Sequence, residues 1–481
     1  MSFWFDKLAA KPQRSVLLLG LLLLLAGNAI LPMTDRDEAR FSEASREMIQ
    51  RGDYVVPWFN DAWRFDKPVL IYWCQIASYK IFGVNEFAAR LPTSLFCIGT
   101  SLLLVRWGQK VSGNRTALIA GVMFLTGLHV AVVIGRVATA DMAMIFFCTL
   151  AAWSGWELTR PEQPSRKTWW WIFYLALALG FLAKGPVAWL PLGGMLLGRA
   201  LRPEMFRLPL LETLVGLIVA VAVASLWGIP ALMQTGGKFW SVGMGEHVFN
   251  RSVGVINGHG PKDAVQYILT LPLYFLTFFA SFFPWSITVP GSLKRWWPLR
   301  YRDDLGWFLL INAMLVFIVF SLVKTKLPHY TMPAFPLIAL WLARQISDDV
   351  QLPTWFTRRL VAMVIIVLAV TLGGFTFARN HLLTQNLWNA TQAQVRPETK
   401  IGCFGFIEPS LVWKFRAVST NYITLGTVGE AENFLTNTPP FILVVPTESL
   451  AKISDTNGTL ISVRGLDVVK FKNRNLTAIV H

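Results

Sequence analysis

The sequence predicts a multi-span α-helical membrane protein with a small α/β domain at its C-terminal end, and three observations support this fold class. Of the 481 residues, 54% are hydrophobic and only 15% are charged, whereas soluble proteins carry about 25% charged residues. Apolar runs long enough to cross a bilayer recur throughout residues 1–378. Residues 379–481 instead combine dispersed charge with short β-like runs.

The apolar runs divide the first domain into membrane crossings. With roughly 20 apolar residues for one crossing, we predict about eleven spans. Their approximate limits are 15–32, 86–106, 116–134, 141–157, 168–183, 186–199, 208–233, 266–290, 305–322, 330–346 and 359–378. The first run continues to Pro32 without a convincing cleavage site, so we expect a retained span rather than a signal peptide.

The distribution of Lys and Arg predicts the orientation. If the N-terminus is cytoplasmic, all five predicted cytoplasmic loops are rich in Lys and Arg, as the positive-inside rule requires. This pattern explains most of the net charge of +16 and argues against nucleic-acid binding. The four Cys residues show neither a CxxC pair nor metal-ligand spacing, so we interpret them as core residues.

The first outer loop, residues 33–85, is predicted to contain two helices. Residues 37–52 have a weak apolar stripe among charged side chains and stop at Gly52. Residues 69–82 resemble a second amphipathic helix, with Pro68 near its start. We expect both helices to lie along the membrane surface rather than to span it.

The soluble domain, residues 379–481, is predicted to lie on the same outer side. Two runs favour strands, 441–445 and 468–471.

Unusual charged motifs collect on the predicted outer face. They are Asp37 with Glu38 and Arg40, Asp66 with Lys67, Arg136 with Asp141, Lys184, the loop from Lys324 to Tyr330, Glu246 with His247, and His259. Each of the first five has an ordinary structural explanation: a helix cap, a surface ion pair, an exposed pair at a helix end, a snorkelling lysine or an interfacial anchor. Their placement on one face nevertheless favours a site for an anionic lipid headgroup.

The residue types in these motifs suit one kind of chemistry. Several cations could neutralise a phosphodiester and make a lipid phosphate a better leaving group. A nearby carboxylate such as Asp37 could accept a proton from an incoming hydroxyl or phosphate. These parts suit glycosyl transfer from a phospholipid-linked sugar through a transition state with oxocarbenium character. The chain contains no GxxxxGK[ST] motif, so we expect no nucleotide cofactor.

The outer-loop motifs resemble those of a known family, the aminoarabinose (ArnT-like) transferases, which are grouped with the protein O-mannosyltransferases in the GT-C superfamily. The resemblance lies in residues 36–41, 47–48, 52–57, 65–68 and 72–73, and continues through Asp141, 181–185 and 326–330. It covers most of the membrane region in order, and the long first-loop pattern is its most specific part.

The resemblance implies a GT-C fold, a bacterial inner-membrane location, a periplasmic site and an undecaprenyl-phosphate-linked sugar as donor, with inversion at the sugar. By position in the motifs, it implies the following site residues: Asp37 and Asp141 as catalytic; Arg40, Lys67, Lys184, Arg251 and Tyr330 at the donor phosphate; Asp66 and His247 at a divalent metal ion. The chain departs from the family pattern at Asp66, where Glu is more usual, and at Val69, where a second Pro is usual.

The acceptor stays open at this stage. Lipid A, with 4-amino-4-deoxy-L-arabinose as the sugar, is the nearest precedent in the family, and protein Ser/Thr or another glycan is the alternative. A lipid flippase or transporter is a third reading. It is disfavoured because such proteins usually carry inverted repeats and ionisable residues at mid-membrane, whereas here the charges crowd one face.

Overall fold

Helices dominate the chain up to residue 391, and a five-stranded sheet lies beyond them. The computed structural model describes residues 2–34, 36–160, 163–206, 209–250, 263–347, 353–454, 458–467, 470 and 472–481. The helices are α1 (Ser2–Ala10), α2 (Pro12–Leu25), α3 (Arg36–Arg51), α4 (Leu70–Phe82), α5 (Glu86–Thr126), α6 (Asp141–Thr159), α7 (Arg166–Lys184), α8 (Leu190–Leu201), α9 (Leu210–Gln234), α10 (Ala264–Thr270), α11 (Leu273–Ser281), α12 (Val289–Trp296), α13 (Asp304–Leu322), α14 (Phe335–Ser347), α15 (Thr354–Leu368), α16 (Phe375–Arg379), α17 (Leu383–Thr391), α18 (Pro409–Phe415) and α19 (Val428–Leu435). The strands are β1 (Trp58–Phe59), β2 (Ala62–Trp63), β3 (Lys400–Phe404), β4 (Tyr422–Leu425), β5 (Phe441–Pro446), β6 (Thr459–Asp467) and β7 (Lys472–Val480).

The long helix α5 is a hairpin of two antiparallel arms. Gly113 has a φ of 85°, a left-handed conformation that glycine adopts without steric cost. A Cβ on Gly108 would lie 2.8 Å from Cα of Ala117, although nine residues of continuous helix would separate them by about 13.5 Å. The two arms therefore correspond to the separate spans predicted at 86–106 and 116–134.

The helix is broken between α7 and α8, as Lys184-Gly185-Pro186 predicts, and residues 185–189 turn back onto the end of α7. Gly185 has a φ of 77°. A Cβ on Gly180 would lie 2.7 Å from Cβ of Ala188, and the Trp189 indole donates a hydrogen bond of 3.2 Å to the Leu177 carbonyl.

Length and apolarity alone identify five helical stretches of the described chain that could cross a membrane, or six with one bent pair. Of the five, 86–126 is the α5 hairpin and 166–201 contains α7 and α8 with the break at Gly185 between them, and α2 is a shorter apolar helix. The predicted count of about eleven treats each arm of α5, each of α7 and α8, and each shorter apolar segment as a crossing.

Two predicted spans have wrong limits. The first, 15–32, ends early, because α2 stops at Leu25 and Gly27 turns the chain with a φ of 75°. The span predicted at 266–290 is not continuous, because the axis bends by 113° between Val265–Ser281 and Ser286–Arg302. Pro284 lies in this bend and cannot donate an amide hydrogen bond to continue a helix.

The first outer loop contains the two predicted helices as α3 and α4, with the β1–β2 hairpin between them. One feature of α3 differs from the expected membrane-surface helix. Its charged residues Glu43, Arg46 and Glu47 are buried, and Arg46 donates to the Trp413 carbonyl of α18 at 3.1 Å. The soluble domain therefore covers this face of α3.

The soluble domain is a five-stranded mixed sheet with the strand order β4-β3-β5-β7-β6. Strands β4, β3 and β5 are parallel, and β7 pairs antiparallel with both β5 and β6. Strand β5 is buried along its whole length and confirms the strand predicted at 441–445. Most of the strand predicted at 468–471 lies outside the described residues.

Burial beneath the soluble domain raises the pKa of Glu43 to about 8, although Arg46 and Arg416 oppose the shift and Glu47 adds to it. A carboxyl whose pKa is higher in the folded than in the unfolded chain binds more protons when folded, so its contribution to stability falls as pH rises between about 4.5 and about 8. We therefore compare melting temperatures of the wild type and of Glu43→Gln. The value for the wild type minus that for the variant should decrease as pH rises over this range and should level off above it. A difference that is constant from pH 5 to pH 8 would contradict the burial of an ionisable Glu43.

Candidate functional site

The first turn of α3 carries Asp37 and Arg40. The Asp37 side chain is 61% exposed, and its carboxylate lies 3.6 Å from the Arg40 guanidinium. A carboxylate is stabilised at a helix N-terminus by the helix dipole, so the capping role and a chemical role for Asp37 are compatible. The exposure leaves this carboxylate accessible to a second molecule.

Beside Asp37, a buried ion pair anchors α3. Arg90 of α5 donates to both oxygens of Glu38, at 2.7 and 2.9 Å, and also to the Asn28 carbonyl at 2.7 Å. The Ala138 amide donates to the same Glu38 carboxylate at 3.0 Å. The position of Asp37 is therefore set by its neighbour, and our sequence analysis identified neither Glu38 nor Arg90 as a functional residue.

Arg64 was not predicted as a site residue. It is buried and contacts both helices of the first outer loop. Its guanidinium is 2.8 Å from the Asp66 carboxylate, donates to the Tyr72 hydroxyl at 3.1 Å and lies 5.0 Å from the centre of the Phe41 ring. Burial alone would lower the pKa of Arg64, but Tyr72, Asp66 and Asp37 raise it overall. Arg64 therefore stays charged and within electrostatic reach of Asp37.

Lys67 follows and is half-buried. Its ammonium donates to the Asp66 carbonyl at 2.9 Å. Aromatic rings flank this segment of the chain: the ring centres of Trp63 and Phe65 are 6.0 Å apart, and Phe65 meets Phe239 edge-on at 5.5 Å. A cation partly removed from bulk water interacts more strongly with an anion than it would in solution.

A second polar cluster lies at the start of α6. Asp141 is buried and forms an ion pair with Lys184, and it accepts a hydrogen bond of 3.1 Å from the Thr139 hydroxyl. Nε2 of His329 is 3.9 Å from the same carboxylate. The Lys184 ammonium lies 5.6 Å from the centre of the Tyr330 ring, so this cluster joins three segments that are distant in sequence.

Asp37 interacts electrostatically with a member of each cluster, with Arg64 in the first and with His329 in the second. Seven of the nine predicted site residues belong to these two clusters or to the ion pair at the start of α3: Asp37, Arg40, Asp66, Lys67, Asp141, Lys184 and Tyr330. Of the other two, Arg251 lies outside the described residues, as does the side chain of His247.

Two cations of the predicted outer face have structural roles instead. Arg136 does not form the predicted exposed pair with Asp141; it is buried and donates to the carbonyls of Leu24 and Ala26 at 3.3 and 2.8 Å. These carbonyls at the end of α2 have no helical partners, so Arg136 caps that helix. Lys326 likewise donates to the Phe320 carbonyl near the end of α13, at 3.2 Å.

The predicted divalent metal involves Asp66 and His247. The Asp66 carboxylate contacts the Arg64 guanidinium, and the His247 side chain lies outside the described residues. Within the described residues, no group of three His, Cys, Asp or Glu side chains could hold a metal ion. The metal therefore stays a prediction, and no step of the reaction proposed below depends on it.

The architecture defines the class of protein first. The chain has the fold of ArnT from Cupriavidus metallidurans, solved bound to undecaprenyl phosphate, with a TM-score of 0.79 over 96% of this chain and 97% of that chain at 16% sequence identity. This protein is therefore a multi-span membrane protein of the GT-C fold, with a small α/β domain as predicted.

Sequence comparisons then define the family. Residues 66–227 match the family described as dolichyl-phosphate-mannose-protein mannosyltransferase. The undecaprenyl phosphate-alpha-4-amino-4-deoxy-L-arabinose arabinosyl transferase of Pectobacterium atrosepticum is 31% identical over 66% of this chain and 57% of its own length. An uncharacterized protein of Aquifex aeolicus is 31% identical over 67% of this chain and 70% of its own length.

The chain belongs to the ArnT-like family, as the outer-loop motifs indicate. It spans less than two thirds of the length of the arabinosyl transferase from Pectobacterium atrosepticum.

Proposed function

We propose that this protein is an inverting glycosyltransferase that moves a sugar from an undecaprenyl-phosphate-linked donor to an envelope glycolipid. Lipid A is the proposed acceptor and 4-amino-4-deoxy-L-arabinose the proposed sugar, since relatives are named for that donor. The observation that carries the proposal is the exposed Asp37 carboxylate, which pairs with Arg40 and interacts electrostatically with a member of each of the two cation-bearing clusters. The proposed location is the bacterial inner membrane, with a cytoplasmic N-terminus and a periplasmic soluble domain.

In the proposed reaction, Asp37 accepts the proton of the acceptor's hydroxyl or phosphate group. The acceptor oxygen then forms a bond to the anomeric carbon from the face opposite the lipid phosphate. The bond between that carbon and the phosphate oxygen breaks, and the electron pair leaves with undecaprenyl phosphate. Lys67 and Arg40 offset the negative charge that develops on the leaving phosphate.

Asp141 has a different part in this proposal. Its buried carboxylate is neutralised by Lys184, so it is poorly placed to take a further proton from an acceptor. The geometry favours Asp141 as a positioning residue that directs Lys184 towards the ring of Tyr330 and the donor phosphate. The catalytic role given to Asp141 by the family resemblance remains a prediction.

The acceptor is tested by mass spectrometry of envelope lipids from cells with and without this protein. We expect a mass increase of one sugar unit confined to lipid A in cells that produce the protein. Label from a radioactive donor appearing in the protein fraction would favour transfer to Ser or Thr. Movement of donor lipid across liposome membranes without any transfer would contradict the enzymatic proposal and favour a transporter.

Lys67→Met is expected to lower kcat/KM for the donor by roughly 10- to 100-fold, because a charge-assisted hydrogen bond contributes about 1.5–3 kcal/mol. The measurement is donor-dependent transfer by the purified protein. Lys80→Met is the matched control, since Lys80 lies in the same outer loop with its ammonium 5.3 Å from the Tyr54 ring. Equal kcat/KM values for the two variants would exclude Lys67 from the donor site.

The divalent metal at Asp66 and His247 also remains a prediction. Transfer measured after treatment with a chelator and after adding back divalent ions tests it. Activity that disappears with the chelator and returns with one ion would support the metal, and unchanged activity would remove it.

A further inference from the structure

One arginine of the soluble domain reaches the first outer loop. Arg416 directly follows α18 and is 4% exposed. Its guanidinium binds both oxygens of Asp61, at 2.6 and 3.2 Å. Nε of the same side chain is 3.4 Å from the Glu43 carboxylate and 3.7 Å from that of Glu47. A single cation therefore contacts both the β1–β2 hairpin and the middle of α3.

These contacts hold the turn of the hairpin. Asn60 and Asp61 have φ values of 51° and 63°, a left-handed conformation that Asn and Asp tolerate better than other non-glycine residues. The Glu47 carboxylate accepts hydrogen bonds from the amides of Asn60 and Asp61, at 2.5 and 3.1 Å. Arg416 also donates to the Asn60 side chain at 3.3 Å. Helix α3 and the soluble domain thus hold the turn together.

The two elements that Arg416 joins carry the two halves of the candidate site. Helix α3 begins with Asp37 and Arg40 in its first turn. Strand β2 leads directly into Arg64, whose amide donates to the Pro57 carbonyl at 2.8 Å, and then into the donor-binding Lys67. Any change in the spacing between the hairpin and α3 therefore changes the distance between the carboxylate and the cations.

The soluble domain has a separate attachment that does not involve this hairpin. Lys414 of α18 lies 2.7 Å from Glu86 at the start of α5, and the Trp413 indole donates to Glu86 at 3.4 Å. The Trp413 ring also stacks on Tyr79 of α4, with ring centres 6.4 Å apart. Loss of Arg416 would therefore leave these docking contacts in place.

We propose that Arg416 is a positioning residue, which acts from the soluble domain to fix the spacing between α3 and the β1–β2 hairpin and so aligns Asp37 with the segment from Arg64 to Lys67. The effect on turnover rests on the proposed function, whereas the effect on the hairpin does not. The guanidinium geometry matters as well as the charge, because a planar fork can bind the Asp61 carboxylate at two points and an ammonium cannot.

The test compares Arg416→Met, Arg416→Lys and the matched control Lys414→Met, which removes a cation two residues away that pairs with Glu86 of α5 rather than with α3 or the hairpin. We expect Arg416→Met to lower kcat about tenfold with little change in the donor KM, which is the pattern of a lost transition-state alignment. Arg416→Lys should restore part of kcat, and Lys414→Met should keep the wild-type rate. Wild-type kcat in Arg416→Met would overturn the proposal.

Hydrogen exchange of the Asn60 and Asp61 amides gives a readout that needs no activity. We expect faster exchange of both amides in Arg416→Met and wild-type exchange in Lys414→Met. Asp61→Asn weakens the same contact from the other side, and also the ion pair of Asp61 with Arg51, so the kcat loss in the double variant with Arg416→Met should be smaller than the sum of the single losses. Additive losses, or exchange that is unchanged in Arg416→Met, would refute the positioning role. Absence of transfer in the wild type would instead refute the proposed function and leave the exchange result to decide the positioning role.

Discussion

Asp37→Asn is expected to reduce sugar transfer at least about 100-fold while binding of undecaprenyl phosphate persists. The amide cannot accept the acceptor's proton, and a positioned general base contributes roughly 100- to 10,000-fold to the rate. Asparagine keeps the size of the side chain and remains a good residue at a helix N-terminus, so α3 should still form. Transfer from labelled donor and lipid binding by native mass spectrometry measure the two effects separately.

Asp263→Asn is the matched control for this variant. Asp263 is an exposed carboxylate at the start of another helix, α10, where it accepts a hydrogen bond from the Gln266 amide. The Asp263→Asn variant should transfer sugar at the wild-type rate, because asparagine caps a helix about as well as aspartate. Full transfer activity in Asp37→Asn would remove Asp37 as the base, and loss of lipid binding would mean that Asp37 acts on the donor.

Arg90→Met is expected to destabilise the folded protein by about 3–5 kcal/mol, because removal of one partner leaves the Glu38 carboxylate buried without its counter-charge. The Glu38 and Arg90 side chains are 1% and 5% exposed. Arg90→Met should also reduce transfer activity, because the Glu38–Arg90 pair holds the helical turn that carries Asp37. Thermal unfolding of the purified protein in detergent, followed by a transfer assay well below the transition, measures both.

Arg166→Met provides the comparison. Arg166 forms an ion pair with Glu212 at 2.8 Å, a distance close to the 2.7 Å between Arg90 and Glu38. The side chains of Arg166 and Glu212, however, are 36% and 48% exposed. An exposed pair of this kind contributes about 0–1 kcal/mol. Equal stability losses in the two arginine variants would contradict the burial of Glu38 and Arg90.

The sequence predicts the local features of this protein well. The helices expected at 37–52 and 69–82 occur as Arg36–Arg51 and Leu70–Phe82. Both follow from short-range signals, namely an apolar stripe and a helix-stopping Gly52 in the first and a Pro near the start of the second. The break at Gly185 is also local, because it depends on glycine conformation and on the proline that follows it.

The features that the sequence does not predict depend on distant partners. Arg136 was interpreted with its neighbour Asp141, yet its guanidinium contacts Leu24 and Ala26, more than a hundred positions earlier. Arg416 and Asp61 are 355 positions apart. A charged residue near a helix end gives no indication of which partner the folded chain will bring to it, so short-range patterns could not identify these contacts.

The sequence also does not predict which charged residues become buried. In α3 the charged positions suggested a face towards water, but Glu43, Arg46 and Glu47 are covered by the soluble domain. Hydropathy describes a single helix and does not include the surfaces that later pack on it. The sequence singles out Asp37 as a candidate base in this helix, whereas the ion pair of Glu38 with Arg90 that holds the helix in place gave no separate signal.

The central claim is that the first outer loop folds so that Asp37 faces a lipid phosphate held by nearby cations. Photolabelling with an undecaprenyl phosphate analogue that carries its reactive group next to the phosphate tests this claim most directly. We predict that mass spectrometry of the digested protein finds the label in residues 36–51, 63–67 and 324–330, and that Lys67→Met reduces it. Labelling confined to other segments of the chain, with these three unmodified, would contradict the account.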